Sequence, residues 1–230
     1  EEVCEKFSWD IPEEYNIASD VCDRWADDPS RIALVYEDSK RQQHVYTYSD
    51  IRSHANKLAN TLRSFGLAEQ DVVTLLLAQD PECAISHVAC WKAGMISGPC
   101  SVLFAGEAIK YRINDCKARV VITDLANYDK VNGIRSECPS LIKILVIDGE
   151  PEGAVNFWSA IEKESASFEN VETKAEDVAW ISYTSGTTGL PKGSVQPHRM
   201  MLGHMPSLEF IYDFFPQDND ALWSPADWAW

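Results

Sequence analysis

The residue types with the clearest chemical potential lie together in one segment, residues 184–193, with the sequence TSGTTGLPKG. Three glycines let the backbone turn so that successive N–H groups point into one concavity, which binds anions. Four hydroxyl side chains supply further hydrogen-bond donors, and one lysine supplies a mobile positive charge for a phosphate oxygen. This combination predicts a phosphate-binding loop.

The charge pattern around the segment supports an anionic ligand. The chain of 230 residues has 20 Lys and Arg against 36 Asp and Glu, a net charge of −16. No acidic residue occurs from Val178 to Leu208, and an acidic protein that binds a polyanion requires such a local exception. A second acid-free stretch, Cys83 to Gly106, is nearly as long, so this pattern supports the prediction without establishing it.

From the residue types alone, a glycine-rich surface loop without a ligand stays open as an alternative. The segment does not fit the G-x-x-x-x-G-K-[ST] motif, because Gly193 follows Lys192. It also lacks the G-x-G-x-x-G spacing of dinucleotide-binding folds. The residues therefore predict phosphate binding but identify neither the nucleotide nor the reaction.

The composition as a whole predicts a soluble enzyme. Its acidic balance argues against general nucleic-acid binding and against attachment to anionic membranes. The longest strongly apolar run, Val72 to Ala78, is too short to span a bilayer. Seven cysteines form no C-x-x-C pair, which favours free buried thiols over disulfides or a metal site. The N-terminus is acidic where a signal peptide is basic, so we expect a cytoplasmic protein.

The elements that must position the segment follow from hydrophobic spacing. A helix is predicted from about Ser49 to Phe65, with Ser49 as its cap and Gly66 ending it in a left-handed turn. A second helix is predicted from Asp80, which is followed by a proline, to just before Gly94. Four short apolar runs are predicted as buried strands: 72–77, 119–123, 143–147 and 178–183.

This alternation of strands and helices predicts an α/β fold with a mostly parallel sheet flanked by helices. Ligands in such folds bind at the carboxyl ends of the strands. The segment 184–193 follows the last predicted strand directly, which is where a ligand-binding loop is expected.

The eleven residues YTSGTTGLPKG, 183–193, resemble the signature loop of the AMP-forming adenylate ligase superfamily, which includes acyl-CoA synthetases and nonribosomal peptide adenylation domains. Three weaker resemblances occur in the expected order, at YTYSDI (46–51), WKAG (91–94) and SPADWAW (224–230). The last is similar to the acetyl- and medium-chain acyl-CoA synthetase form of its motif. The resemblance implies a partial acyl-CoA synthetase-like N-terminal domain.

In that superfamily a carboxylate attacks the α-phosphorus of ATP in the presence of Mg²⁺, and the thiol of coenzyme A then displaces AMP. The resemblance implies that Lys192 is catalytic, balancing the charge of the leaving pyrophosphate. It further implies that Trp228 and Trp230 line the acyl pocket, although ordinary core packing explains two tryptophans equally well. The residues expected to wrap the β- and γ-phosphates are Thr184, Ser185, Gly186, Thr187, Thr188, Gly189 and Lys192.

Two histidines, His198 and His204, are expected on a helix after the loop, where a structural role is the simpler interpretation. The resemblance places the adenine, ribose and Mg²⁺ contacts and the C-terminal lysine after Trp230. We therefore expect residues 1–230 to be the N-terminal portion of an AMP-binding domain, with the rest of that domain and the C-terminal lid domain absent, and to be inactive alone. Two alternatives stay open: an adenylation domain that loads an amino or aryl acid onto a carrier protein, and a short non-catalytic nucleotide-binding protein.

Overall fold

The computed structural model describes residues 8–185, 189–217 and 220–229. Seven strands form one sheet in the order β7-β6-β5-β3-β4-β8-β9, and two form a separate hairpin. The strands are β1 (Ile32–Glu37), β2 (Gln43–Thr47), β3 (Val72–Leu76), β4 (Ile96–Pro99), β5 (Val120–Thr123), β6 (Lys143–Val146), β7 (Val155–Asn156), β8 (Val178–Thr184) and β9 (Lys192–Pro197). The α-helices are α1 (Ile17–Val21), α2 (Tyr48–Ser64), α3 (Pro81–Lys92), α4 (Gly106–Asp115), α5 (Leu125–Asn132), α6 (Phe157–Ile161) and α7 (Met200–Ile211).

The predicted α/β fold is confirmed. Strands β3 to β8 are parallel to their neighbours in the large sheet, and only β9 runs antiparallel, beside β8. The four predicted strands correspond to β3, β5, β6 and β8. Strand β4 was not predicted, because Gly98 and Pro99 make its four residues resemble a turn.

Both faces of the large sheet are covered, as the continuous apolar runs predicted. Alternate residues of β3 point in opposite directions, so Val73 and Leu75 join the core beneath α2, α3 and α6. Val72 and Leu76 join the second core, beneath α4 and α5. Strand β8 alternates between buried and half-buried residues, because one of its neighbours is the edge strand β9. The six cysteines among the described residues are free thiols, as predicted.

The first predicted helix begins differently from the prediction. Its cap is Thr47 and not Ser49: the Thr47 hydroxyl accepts the Asp50 N–H at 3.1 Å, and the Asp50 carboxylate accepts the Thr47 N–H at 2.8 Å. This reciprocal pair satisfies two backbone donors at once, which a single Ser49 cap would not do. The other end is as predicted, since Gly66 follows the helix with a φ of 84°.

A buried ion pair joins the N-terminal segment to α3. The Lys92 side chain is almost completely buried, and its Nζ lies 2.5 Å from Asp23 Oδ1. Asp23 also accepts a hydrogen bond of 2.6 Å from the Asn170 amide. Removing one member of such a group leaves a buried charge without a partner, which costs far more than the pair itself contributes.

We therefore expect Asp23→Ala to lower the free energy of unfolding by about 3 kcal/mol. The matched control is Asp27→Ala, which breaks the ion pair of Arg52 with a carboxylate that is 87% exposed and should cost less than about 1 kcal/mol. Urea unfolding followed by tryptophan fluorescence measures both. Equal losses in the two variants would contradict a special role for the buried pair.

Candidate functional site

The predicted phosphate loop connects the two antiparallel strands β8 and β9. Thr184 is the last residue of β8 and pairs directly with Lys192, the first residue of β9. Both residues are solvent-exposed. The loop therefore leaves and re-enters the sheet at neighbouring positions, at the carboxyl end of the central parallel strands. A threonine hydroxyl and a lysine flank the two ends of the loop.

The structure describes part of the predicted site. Thr184, Ser185, Gly189 and Lys192 are among the described residues. Gly189 has a φ of 131°, a conformation that other residues rarely adopt, and none of the described atoms lies within 4 Å of the position of a Cβ. The predicted phosphate ligands Gly186, Thr187 and Thr188 lie outside the described residues. Trp230 also lies outside them.

Helix α4 holds both ends of the loop, which the sequence did not predict. On the entry side, the Tyr183 Oη donates to the Asp115 carboxylate at 2.7 Å. On the exit side, the Tyr111 Oη donates to the backbone carbonyl of Pro191 at 2.9 Å. Burial, together with the hydrogen bond to Asp115, raises the pKa of Tyr183 well above its ordinary value, so its phenol stays a proton donor at physiological pH.

Close packing fixes the strands beneath the loop. Gly193 pairs with Tyr183 across the two strands. A Cβ at Gly193 would lie 3.2 Å from Ile181 and 3.3 Å from the Tyr183 ring, so a larger side chain would displace that ring. The Arg112 guanidinium stacks 3.9 Å from the Phe104 ring centre and 5.3 Å from that of Tyr183, and these contacts hold the tyrosine against α4.

The strand order predicts a crevice beside the loop. Strands β4 and β8 are neighbours, but the chain leaves β4 toward β5 and leaves β8 toward β9, on opposite sides. Adjacent strands whose connections diverge in this way leave a binding crevice outside their carboxyl ends. Ser101, just after β4, lies at this edge with the loop, and its hydroxyl donates to Asp227 at 2.6 Å.

A second segment crosses the same edge. The Gln79 amide, just after β3, donates to the Ser224 carbonyl at 3.0 Å and also bonds the Ala226 carbonyl. Together with the Ser101–Asp227 bond, these contacts bring the motif 224–229 to the carboxyl ends of β3 and β4. Trp228 is half-buried and packs against the core beneath α2 and α3. The acyl-pocket role of Trp228 and Trp230 stays a prediction.

Charge divides the carboxyl edge of the sheet into two halves. Strands β3, β5 and β6 are followed by acids: Asp80, Asp124 and Asp148. Burial raises the pKa of Asp80, and repulsion from the other two carboxylates raises it further. Strands β4 and β8 are followed by the hydroxyl residues Ser101 and Ser185. A polyanion is therefore repelled from the half of the edge formed by β3, β5 and β6. At the other half Ser185 is exposed, whereas the Ser101 hydroxyl is already donated to Asp227.

The two histidines after the loop do not join the site. His198 precedes α7 and does not lie on it, because strand β9 occupies part of the stretch predicted as helix. It is fully buried, and its Nδ1 accepts the Ile17 N–H at 3.1 Å. Burial lowers the pKa of His198 to about 4, so its ring is neutral at physiological pH. His204 lies on α7 and is exposed. The burial of His198 and its Nδ1 hydrogen bond agree with the structural interpretation, although its buried Nε2 has no partner among the described residues.

A cleft of about 580 Å³ lies elsewhere, between α1 and residues 170–173. It is close to the amino ends of the strands, opposite the loop, and its lining includes the acids Glu14, Asp20 and Glu172. This acidic lining does not suit a phosphate.

Within the described ranges, no group of three metal-ligating side chains occurs. The described part of the loop thus offers donors to phosphate oxygens but does not by itself fit a magnesium ion. No described helix combines the length and the apolar character needed to cross a membrane.

Comparison with known proteins agrees with this geometry. The family model described as AMP-binding enzyme matches residues 22–230, so the chain belongs to the AMP-binding enzyme family. It is similar to the mouse mitochondrial acyl-coenzyme A synthetase ACSM4, with 31% identity over 235 residues, 99% of this chain and 40% of that protein. It is also 29% identical to the acetyl-coenzyme A synthetase of Bacillus subtilis over 221 residues, 94% of this chain and 38% of the relative.

Solved structures show the same relationship. The chain resembles the Brucella canis acyl-CoA synthetase with a TM-score of 0.84 and 27% identity, covering 94% of this chain and 39% of that one. It resembles the anthranilate CoA ligase AuaEII, solved with anthranoyl-AMP, with a TM-score of 0.74 and 27% identity, covering 83% and 36%. The chain thus spans about 40% of the length of these relatives.

The acidic half of the edge leads to a prediction about stability. Because the pKa of Asp80 is raised, its charged form is disfavoured in the folded state. Asp80→Asn removes this cost and keeps an acceptor for the Tyr36 hydroxyl, 3.1 Å away. We expect the variant to have a higher melting temperature at pH 7. The gain should disappear below the ordinary carboxyl pKa of about 4, where Asp80 is neutral in both states.

The control variant, Asp38→Asn, should change the melting temperature in the opposite direction. Backbone N–H groups, first that of Gln42, lower the pKa of Asp38, so its charge stabilises the fold above the ordinary carboxyl pKa and stops doing so as the pH falls through the lowered value. Asp38→Asn should therefore lower the melting temperature at pH 7 and not at low pH. Thermal scans from pH 3 to pH 7 test both variants. If Asp80→Asn still has a higher melting temperature than the wild type at pH 3, the electrostatic explanation is contradicted.

Proposed function

We propose that the full-length gene product containing this chain is an AMP-forming acyl-CoA synthetase. It joins a carboxylic acid to ATP to give an acyl-adenylate and pyrophosphate, and then transfers the acyl group to coenzyme A with release of AMP. Residues 1–230 form the N-terminal portion of its AMP-binding domain and contribute the phosphate loop. The relatives span more than twice this length, so the activity is proposed for the full-length product.

The single observation that carries the proposal is the pairing of Thr184 with Lys192 at the two ends of the loop. The exposed lysine and the hydroxyl residues at the start of the loop face solvent at the carboxyl edge of the sheet, where ligands bind in α/β folds. The pairing across two strands holds a cation beside hydrogen-bond donors. That arrangement suits a chain of phosphates better than a single anion.

The reaction requires this arrangement because both reactants are anionic. A carboxylate has to approach the α-phosphorus while pyrophosphate leaves in line with it, so charge must be balanced and the groups must be aligned. In the proposed role, Thr184 and Ser185 donate to oxygens of the departing phosphates, and Lys192 offsets the charge that develops on them. Magnesium, when bound with ATP, supplies further charge neutralisation.

The acyl group is proposed to be short or of medium length. This follows from the resemblance of SPADWAW (224–230) to the acetyl- and medium-chain form of the motif, and from the acetyl-coenzyme A synthetase of Bacillus subtilis among the relatives. Trp228 and Trp230 are the proposed lining residues. A cytoplasmic location is proposed from the free cysteines, although the names of several relatives place those proteins in mitochondria.

The experiment is carboxylate-dependent exchange between ATP and pyrophosphate in the full-length gene product. We expect Lys192→Ala to lower the exchange rate by at least about 100-fold, because it removes a charge that acts on the departing phosphates. The matched control is Lys174→Ala, an exposed lysine just before the amino end of β8, which should leave the rate unchanged.

The acids tested should include acetate, butyrate, octanoate and anthranilate, each with coenzyme A as the acceptor. Equal exchange rates in the Lys192 and Lys174 variants would refute the role of the loop. Exchange without product on coenzyme A, but with transfer to a carrier protein, would favour the alternative of an adenylation domain.

A further inference from the structure

Strands β8 and β9 and the loop between them are here called the phosphate hairpin. Helix α4 contacts this hairpin through two residues that lie four positions apart. Tyr111 and Asp115 occupy positions i and i+4, so they share one face of the helix. Tyr111 reaches the carbonyl of Pro191, directly before Lys192. Asp115 accepts the hydroxyl of Tyr183, directly before Thr184. One helical face therefore holds the residues that precede both proposed phosphate contacts.

The helix is itself firmly held, which makes it a suitable support. Ile109 and Ile113 are completely buried in the core that it shares with α5. Lys110, at the exposed side, bonds Glu137 at 2.9 Å, beyond the end of α5. Movement of α4 would disturb all of these contacts, so its position is fixed independently of the loop.

The two contacts constrain different strands. Tyr183 belongs to β8, which lies inside the sheet between β4 and β9. Pro191 directly precedes β9, the edge strand, whose partner among the described strands is β8 alone. The exit of the loop is thus the less constrained end, and the Tyr111 hydrogen bond is the contact that ties it to α4. Lys192 directly follows the residue that accepts this bond, and it also pairs with Thr184 across the two strands.

We propose that Tyr111 and Asp115 are positioning residues that form a clamp on the phosphate hairpin, and that this clamp sets the affinity for the β- and γ-phosphates of ATP. The inference rests on the proposed function. The clamp orders the backbone at both ends of the loop before the nucleotide arrives, so less conformational entropy is lost on binding. AMP has no β- or γ-phosphate, and its binding does not depend on the clamp.

The experiment measures ATP and AMP binding to the full-length gene product by calorimetry. Tyr111→Phe removes one hydrogen bond and keeps the ring, so the dissociation constant for ATP should rise about 5-fold. The dissociation constant for AMP should change by less than about 2-fold, because AMP lacks the β- and γ-phosphates that the loop is proposed to contact. The matched control is Tyr128→Phe, which removes an equivalent bond of 2.6 Å to the Glu152 carbonyl near the far edge of the sheet.

The entry side is tested with a pair of variants at Asp115. Asp115→Ala removes the 2.7 Å acceptor for Tyr183 and leaves its hydroxyl the longer contact of 3.3 Å with the Arg112 carbonyl. It should weaken ATP binding by no more than Tyr111→Phe does. Asp115→Asn keeps an acceptor oxygen and should restore most of the affinity. Failure of Asp115→Asn to bind ATP better than Asp115→Ala would overturn the entry half of the clamp.

Three further outcomes separate the clamp from the proposed function. Wild-type protein that binds ATP normally, with Tyr111→Phe no different from Tyr128→Phe, overturns the clamp and leaves the synthetase proposal intact. Equal weakening of ATP and AMP by Tyr111→Phe also overturns it, because a general loosening of the fold would produce that result. Wild-type protein that binds neither nucleotide defeats the proposed function itself.

Discussion

The hydrogen bonds between α4 and the β8–β9 hairpin are the interaction on which the site depends. A loop that binds phosphate through backbone groups must hold those groups in place, and in many folds the helix that follows the loop does so. Here the segment after the loop is an edge strand, with β8 as its partner in the sheet. Support comes instead from helix α4 on one face of the sheet. Asp115 of this helix accepts a hydrogen bond from Tyr183, and Tyr111 donates one to Pro191. In the proposed phosphate site, a pair of side-chain contacts thus takes the place of a helix terminus.

The same sheet edge shows where a chain with a net charge of −16 places acids and where it places hydroxyl residues, which matters for the proposed binding of a polyanion. Carboxylates follow β3, β5 and β6, whereas hydroxyl residues follow β4 and β8. Asp115 accepts a hydrogen bond from Tyr183, the residue just before the loop. The Arg112 guanidinium lies against the ring of the same tyrosine. Local charge at the loop therefore depends on which side chains follow each strand, and the net charge of the chain predicts little about it.

Much of the fold could be predicted from the sequence, because buried parallel strands are continuous apolar runs and helices repeat their apolar residues at fixed spacing. What escaped prediction has physical causes. Strand β4 contains Gly98 and Pro99, β9 is largely polar, and Thr47 is the cap because Asp50 completes a reciprocal pair. For the site, the phosphate-binding role of the loop stays a prediction from its composition and its resemblance, whereas the contacts of Tyr111 and Asp115 with the hairpin were not predicted. Helical spacing shows that they share a face, yet only the packing of α4 shows that this face meets the hairpin.

Membership of a motif does not give each residue the same role. Gly189 adopts a backbone conformation that favours glycine, whereas Gly193 is small because the Tyr183 ring and Ile181 occupy the space of a Cβ. Pro191 lacks an N–H, and its carbonyl is the acceptor for Tyr111. Three of the ten residues in 184–193 are thus explained by the backbone and packing of the hairpin alone. Because these residues shape the loop, Thr184, Ser185 and Lys192 are the described residues of the segment whose polar side chains stay available to an anionic ligand.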